Sequence, residues 1–167
     1  MIENLSPSQK IAYDGIMHGL EIGNILILLG KPGMGRTMVL NKLHSTLKGA
    51  FMNMKDLLDA MRKKHPLALE ETFEQIVMKR LGENRHVIID DLNILIAVIG
   101  NRTAMYPRNG FFDAPLSVIS THAVESDRRL ILCCNGQAPA PIHQRCFYFG
   151  IQELQALDID SLKIYPE

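Results

Sequence analysis

A glycine-rich segment near the N-terminus has the residue types of a phosphate-binding loop. It runs from Gly30 to Thr37, between an apolar run and a stretch with helical periodicity. Glycines let successive backbone N–H groups turn toward phosphate oxygens, and the following helix adds free donors and a positive dipole end. The Thr37 hydroxyl is placed to hold Mg²⁺. The predicted ligand contacts are Gly30, Lys31, Pro32, Gly33, Met34, Gly35, Arg36, Thr37 and Met38. The competing interpretation is a glycine-rich turn without a ligand.

Arg36 departs from the usual loop pattern, which carries lysine at this position. Arginine keeps the charge, but its guanidinium is bulkier, planar and aimed differently. Binding of phosphates is compatible with this change. Rapid hydrolysis is not expected, because it needs positive charge placed on the transferring phosphoryl group. Lys31 is predicted to point to solvent instead of supplying that charge.

A pair of carboxylates follows a second apolar run, Val87 to Ile89. In a parallel sheet this strand end lies beside the phosphate loop, where open α/β sheets bind ligands. We expect Asp90 to bind Mg²⁺, directly or through water, and Asp91 to polarise an attacking water as general base. The alternative is that both residues only cap the next helix. The phosphate loop upstream favours the nucleotide role.

The elements that must position these groups alternate between helices and wholly apolar strands. Ser6 and Gln9 suit a capping box, with Pro7 in the first helical turn. Strands are predicted at 25–29, 49–53, 86–90, 129–134 and 146–150, and helices at 7–22, 38–47, 54–64, 66–81, 92–99 and 113–125. Gly82 is predicted to end the fourth helix. The pattern predicts an α/β fold, a three-layer αβα sandwich with a mainly parallel five-stranded sheet.

Length and composition bound the remaining possibilities. The 167 residues suit one domain: an N-terminal helix at about 1–23, a core at 24–150 and a tail or linker at 151–167. Lys plus Arg equals Asp plus Glu, at 18 each, so no overall charge draws the chain to nucleic acid or an anionic membrane. Neither the three cysteines nor the six histidines have metal-ligand spacing. No targeting or membrane-spanning segment is evident, which predicts a cytoplasmic protein.

The order of elements and the motifs together resemble the AAA+ ATPases, which have the P-loop NTPase fold. In that comparison the glycine-rich loop is the Walker A motif and the strand before Asp90 is Walker B. Asp90 and Asp91 followed by Leu92 resemble the double-Asp segment of bacterial replication initiators and helicase loaders. Most AAA+ proteins carry Glu at the second position. The resemblance implies ATP or ADP as ligand, with Mg²⁺.

Two further residues take roles from the resemblance alone. Asn135 stands where the family places its sensor-1 residue, which contacts the γ-phosphate or the attacking water. An ordinary Asn-Gly turn is the alternative. Arg145 stands where the family places an arginine finger, which acts on the nucleotide of a neighbouring subunit. This role implies neighbouring AAA+ subunits or domains as partners, in a homo-oligomer. The alternative is a solvated surface arginine.

Parts of the family pattern are missing. Residues 151–167 are too few for the helical lid that usually follows the last strand, and no aromatic pore-loop signature is evident near residues 51–55. The segment 100–112 carries aromatic and arginine side chains that could touch a single strand, although packing on the domain edge is the favoured interpretation.

Three functions are therefore compared. The first is an ATP-binding AAA+ core with weak or absent hydrolysis, which uses nucleotide state to organise partner domains or subunits. The second is a working ATPase, a motor or loader, in which Arg36 replaces lysine adequately. The third is a nucleic-acid-handling module similar to helicase loaders, which the neutral net charge disfavours. Whether the chain is an ATPase depends on how far Arg36 impairs turnover.

Overall fold

Five parallel strands form the centre of the molecule. The computed structural model describes residues 4–65, 68–92, 97, 113–134 and 146–151. The strands are β1 (Ile25–Leu29), β2 (Ala50–Met52), β3 (His86–Ile89), β4 (Arg129–Cys134) and β5 (Phe147–Gly150). They lie in the order β2-β3-β4-β1-β5, and every neighbouring pair is parallel. β1 is wholly apolar, and β3 and β4 are apolar after their first residue, because both faces of the sheet are covered.

The described part of the chain has five helices, which cover the two faces. They are α1 (Pro7–Gly19), α2 (Arg36–Leu47), α3 (Met54–Arg62), α4 (Leu69–Glu83) and α5 (Asp113–Glu125). Successive residues of β1 point to opposite sides: Ile25 and Ile27 pack with α3, α4 and α5, whereas Leu26 and Leu28 pack with α1 and α2. Two separate cores result, one on each side of the sheet. This arrangement confirms the predicted three-layer αβα sandwich with a parallel five-stranded sheet.

Several element boundaries differ from the sequence prediction. Helix α1 ends at Gly19, earlier than predicted, and α2 begins at Arg36, two residues before its predicted start. The prediction that Gly82 ends the fourth helix is wrong, because α4 continues to Glu83. Asn84 ends it instead: its backbone is extended, and both its N–H and its side-chain amide donate to the Arg80 carbonyl.

Other predicted elements lie outside the described residues. These are most of the helix at 92–99, the segment 100–112 and the tail at 152–167. Within the part of the chain that is described, no helix is both long and apolar enough to span a membrane.

Candidate nucleotide-binding site

The glycine-rich loop leaves the sheet at the carboxyl end of β1. The Gly30 N–H donates to the Cys134 carbonyl on β4 at 3.3 Å, which fixes the start of the loop. A tight turn follows, closed by a 3.2 Å hydrogen bond from the Met34 N–H to the Lys31 carbonyl. Its two central residues are Pro32 and Gly33, and Gly33 has a φ of 87°. Proline presets the first central position of such a turn and glycine permits the positive φ of the second, so the sequence encodes this turn locally.

Helix α2 begins directly after the loop without a side-chain cap. Its N-cap residue is Gly35, with a φ of 81° and no side chain to accept from the first N–H groups. By contrast, Ser6 caps α1 and Asn53 caps α3. The first N–H groups of a helix need acceptors and carry the positive end of the helix dipole. The start of α2 therefore offers donors to an anion held in the loop.

Thr37 and Asp90 meet across the site. The Thr37 hydroxyl donates to Asp90 Oδ2 at 3.1 Å, and the Asp90 residue is only 8% exposed. The other carboxylate oxygen, Oδ1, is buried, and no group in the described part of the chain donates a hydrogen bond to it. A buried carboxylate oxygen without a partner is costly unless a cation or donor compensates it. The pair thus fits Mg²⁺, which prefers oxygen ligands.

A metal cage made only of side chains is absent from the described residues, which contain no cluster of three or more potential histidine, cysteine or acidic ligands. Mg²⁺ does not require one. It usually keeps several waters and is held by one or two protein oxygens together with substrate phosphates. Thr37 and Asp90 would supply those oxygens.

Arg36 and Asp91 form an ion pair beside this site. Arg36 Nη2 donates to Asp91 Oδ1 at 3.1 Å, and the two side chains are 12% and 27% exposed. The Arg36 stem folds over Gly30, where a Cβ would lie 2.9 Å from Arg36 Cγ. Burial, followed by the charge of Asp90, raises the pKa of the Asp91 carboxyl, and Arg36 opposes that rise. The loop cation is thus directed at the second carboxylate of the acidic pair.

Two cysteines at the end of β4 are unreactive. Cys133 and Cys134 are buried, and burial is the main cause that raises the pKa of each thiol to about 12. A neutral thiol is a poor nucleophile and a poor metal ligand. The chemistry of the site therefore rests on the loop, its cation and the two carboxylates.

The comparisons with known proteins give a fold but no sequence relative. No protein-family profile matches the chain, and no curated protein sequence matches it. The structure is similar to domain III of the replication initiation protein DnaA from Thermotoga maritima, with 14% identity and a TM-score of 0.62 over 92% of this chain and 66% of that one. It is also similar to a replication initiator DnaA bound to AMPPCP and single-stranded DNA, with 13% identity and a TM-score of 0.56 over 91% and 52%. The chain has the P-loop NTPase fold.

A helicase has a related architecture. Pif1 helicase from Candida albicans matches at 13% identity and a TM-score of 0.51, over 92% of this chain and 40% of that one. The chain spans between two fifths and two thirds of the length of these structures. At such identities the likeness shows the P-loop fold alone.

On this fold most of the sequence-predicted site residues lie together. The loop from Gly30 to Thr37, the first turn of α2 with Met38, and the two carboxylates meet at the carboxyl ends of β1 and β3. Lys31 is exposed, as predicted. Asn135 and Arg145 lie outside the described residues.

One site residue was missed from the sequence. Gln9 of α1 donates from Nε2 to the Met34 carbonyl at 2.9 Å and so contacts the loop. The sequence signal at Gln9 is its capping box with Ser6, which explains the helix start but gives no indication of a contact 25 residues away.

Proposed function

We propose that this chain is an ATP-binding AAA+-type domain with weak or absent hydrolysis, which uses its nucleotide state to organise partner domains or subunits. The observation that carries the proposal is the 3.1 Å ion pair between Arg36 and Asp91. Nucleotide binding is supported by the open donors of the loop and of α2, and by a structural neighbour that holds AMPPCP.

Mg²⁺ belongs to the proposed ligand set. Thr37 and Asp90 would hold it through their oxygens, as the unpartnered Asp90 Oδ1 indicates. A bound ion would supply positive charge to offset the negative charge of the phosphates. Thr37 and Asp90 lie at the carboxyl ends of the strands, next to the loop, where they would hold the ion.

Weak hydrolysis is expected because Asp91 and Arg36 bond to each other, although catalysis would require both of them to contact the reacting groups. Asp91 would have to accept a hydrogen bond from an attacking water, but its Oδ1 already accepts from Arg36. Arg36 in turn would have to leave Asp91 to stabilise charge on a transferring phosphoryl group. A partly exposed pair of this kind contributes about 0.2–1 kcal/mol, so it does not prevent ATP from binding. The planar guanidinium still does not reproduce the compact charge of lysine.

The partners are proposed from the family roles of two residues. Arg145 would complete the nucleotide site of a neighbouring subunit as an arginine finger, and Asn135 would act as sensor 1 in the same chain. A homo-oligomer follows from this role. Mass measurement in solution with and without Mg-ATP tests it, and a strict monomer under both conditions would remove the basis for a finger in trans.

Binding of a single strand is a second candidate, because one structural neighbour is a DnaA bound to AMPPCP and single-stranded DNA. The equal numbers of basic and acidic residues oppose it. Binding to single-stranded DNA that weakens steeply with added salt would support this candidate, and the absence of binding at low salt would eliminate it.

The proposed function separates binding from turnover, and the two are measured in parallel. Thermal unfolding with increasing Mg-ATP reports binding, because a ligand that binds only the folded state raises Tm with concentration. Phosphate release at saturating Mg-ATP reports hydrolysis. We expect Tm to rise clearly with the concentration of Mg-ATP. Turnover should be far below the range of about 1–10² s⁻¹ that is typical of phosphoryl-transfer enzymes. Turnover within that range would show a working ATPase instead.

A further inference from the structure

The side chain of Gln9 links the N-terminal cap of α1 to the phosphate loop. Its Oε1 accepts from the Ser6 N–H at 3.0 Å, which completes the capping box. Its Nε2 donates to the Met34 carbonyl at 2.9 Å. Because one planar amide makes both contacts, the position of the helix cap and the position of the loop are coupled through a single rigid group.

The Met34 carbonyl fixes the orientation of the next peptide N–H. In a planar trans peptide the carbonyl and the N–H point in opposite directions. With its carbonyl directed at Gln9, the peptide that joins Met34 to Gly35 directs the Gly35 N–H away from α1. The Met34 N–H already donates to the Lys31 carbonyl, so both peptides in this part of the loop are held.

The fit between Gln9 and the loop depends on Gly35. A Cβ at this position would overlap Gln9 Nε2, and the φ of 81° is one that side-chain-bearing residues rarely adopt. Gly35 therefore gives Gln9 access to the loop and is also the last residue before α2. Its N–H orientation decides whether it can join the donors at the start of that helix.

We infer that Gln9 is a positioning residue that holds the Gly35 N–H for binding of the polyphosphate part of the ligand. The inference rests on the proposed nucleotide binding and names the part of the ligand that Gln9 serves. It acts through the Met34 carbonyl, so its effect extends to any ligand whose phosphates occupy the loop. Inorganic tripolyphosphate, which has no base or sugar, should show the same dependence as ATP.

The experiment compares Gln9→Met with Ser6→Ala. Gln9→Met keeps the length of the side chain and removes the donor to Met34, whereas Ser6→Ala weakens the same helix cap without touching the loop. Calorimetric titrations use Mg-ATP and Mg-tripolyphosphate, and Tm is measured for each protein. We expect both variants to lose Tm, because both damage the cap. Only Gln9→Met should bind both ligands more weakly, by about five-fold, as the loss of one neutral hydrogen bond predicts.

A second variant, Gln9→Glu, removes the contact with the loop but keeps the helix cap. Gln9→Glu keeps an acceptor for the Ser6 N–H and lacks the donor to Met34, so its Tm should stay close to that of the wild type. Its affinity for both ligands should still fall, by more than in Gln9→Met, because the added negative charge lies beside the loop and repels the phosphates.

Two results would overturn the positioning role. The first is equal affinity of wild type and Gln9→Met for both ligands, with the wild type binding well. The second is a loss confined to ATP, which would place Gln9 against the base or the sugar. If the wild type itself bound neither ligand, the proposed function would fail, and this outcome is distinct because it is visible before any variant is made.

Discussion

Arg36 Nη2 lies 3.1 Å from Asp91 Oδ1, so the cation of the phosphate loop is paired with the carboxylate predicted to serve as general base. The two residues come from different motifs and are 55 positions apart in the chain. Asp91 has a φ of 50°, an uncommon value for a residue with a side chain, which turns it out of the β3 direction. The pair connects the loop to the acidic strand end.

Removing the carboxylate of this pair should strengthen binding. In Asp91→Asn, Arg36 loses its charged partner and one negative charge leaves the site, so we expect Mg-ATP to bind a few-fold more tightly. Any phosphate release should disappear, because the amide cannot act as a base. Calorimetric titration and a phosphate-release assay measure the two effects. Asp59→Asn is the matched control, since it removes an aspartate of an exposed arginine pair on α3. Weaker binding in Asp91→Asn alone would show that the pair does not compete with ATP.

Restoring lysine at position 36 should raise turnover. Arg36→Lys replaces a planar fork with a compact charge that fits against the β- and γ-phosphates. We expect phosphate release at saturating Mg-ATP to rise at least about ten-fold, which corresponds to about 1.4 kcal/mol of transition-state stabilisation. Arg62→Lys is the control: this arginine lies on α3, its side chain is 73% exposed, and its replacement should leave turnover unchanged. A lysine variant that binds ATP but is no faster would show that Arg36 is not the cause of slow hydrolysis.

The Thr37 hydroxyl should carry the magnesium dependence of binding. Thr37→Val keeps the shape of the side chain and removes the hydroxyl that faces Asp90. In the wild type, ATP should bind more weakly when Mg²⁺ is chelated, whereas in the variant the affinities with and without Mg²⁺ should converge. Thr46→Val, farther along the same helix, removes a hydroxyl that contacts Tyr13 and should keep the wild-type dependence. An unchanged Mg²⁺ dependence in Thr37→Val would place the ion elsewhere.

An ion pair at the opposite end of the sheet should stabilise the fold in a pH-dependent way. Arg129 is nearly buried, and its Nη1 donates to Asp127 Oδ1 at 2.6 Å while its Nε donates to the Leu20 carbonyl. Hydrogen bonds from Arg129 and then from Asn24 lower the pKa of Asp127. The stabilisation is therefore fully present above the ordinary Asp pKa of about 3.9, and it is lost as pH falls through the lowered value.

Asp127→Asn tests this pH dependence. The amide tolerates the positive φ of this position and has no charge to titrate, so any difference from the wild type reflects the carboxylate. We expect the variant to unfold at lower urea than the wild type near neutral pH, with the gap closing as pH falls through the lowered pKa of Asp127. A gap that does not narrow anywhere below the ordinary Asp pKa would mean that the charge of Asp127 does not contribute.

Features that depend on residues adjacent in the chain could be predicted from the sequence alone. The glycine-rich loop between β1 and α2, the Ser6 cap and the apolar strand β1 are all determined by local chemistry, and the structure confirms each of them. Parallel pairing then follows from strands buried on both faces, so the meeting of the loop with Asp90 could also be predicted.

Contacts between distant segments could not be predicted in the same way. Arg36 pairs with Asp91, and Gln9 bonds to the Met34 carbonyl. Both contacts depend on side-chain directions that only the packed helices and strands determine. The predicted end of α4 was also wrong, by a small margin. Gly82 is a weak helix former, but the bonds of Asn84 to the Arg80 carbonyl place the end of the helix two residues later.

The central claim is that the loop from Gly30 to Thr37 binds ATP although it carries Arg36. Calorimetric titration of Mg-ATP and Mg-ADP into the wild type and Arg36→Lys tests it most directly, with circular dichroism to show that both proteins are folded. We predict saturable binding of both nucleotides to both proteins. Binding by the lysine variant alone would contradict the claim, since Arg36 would then mark a loop that no longer holds nucleotide.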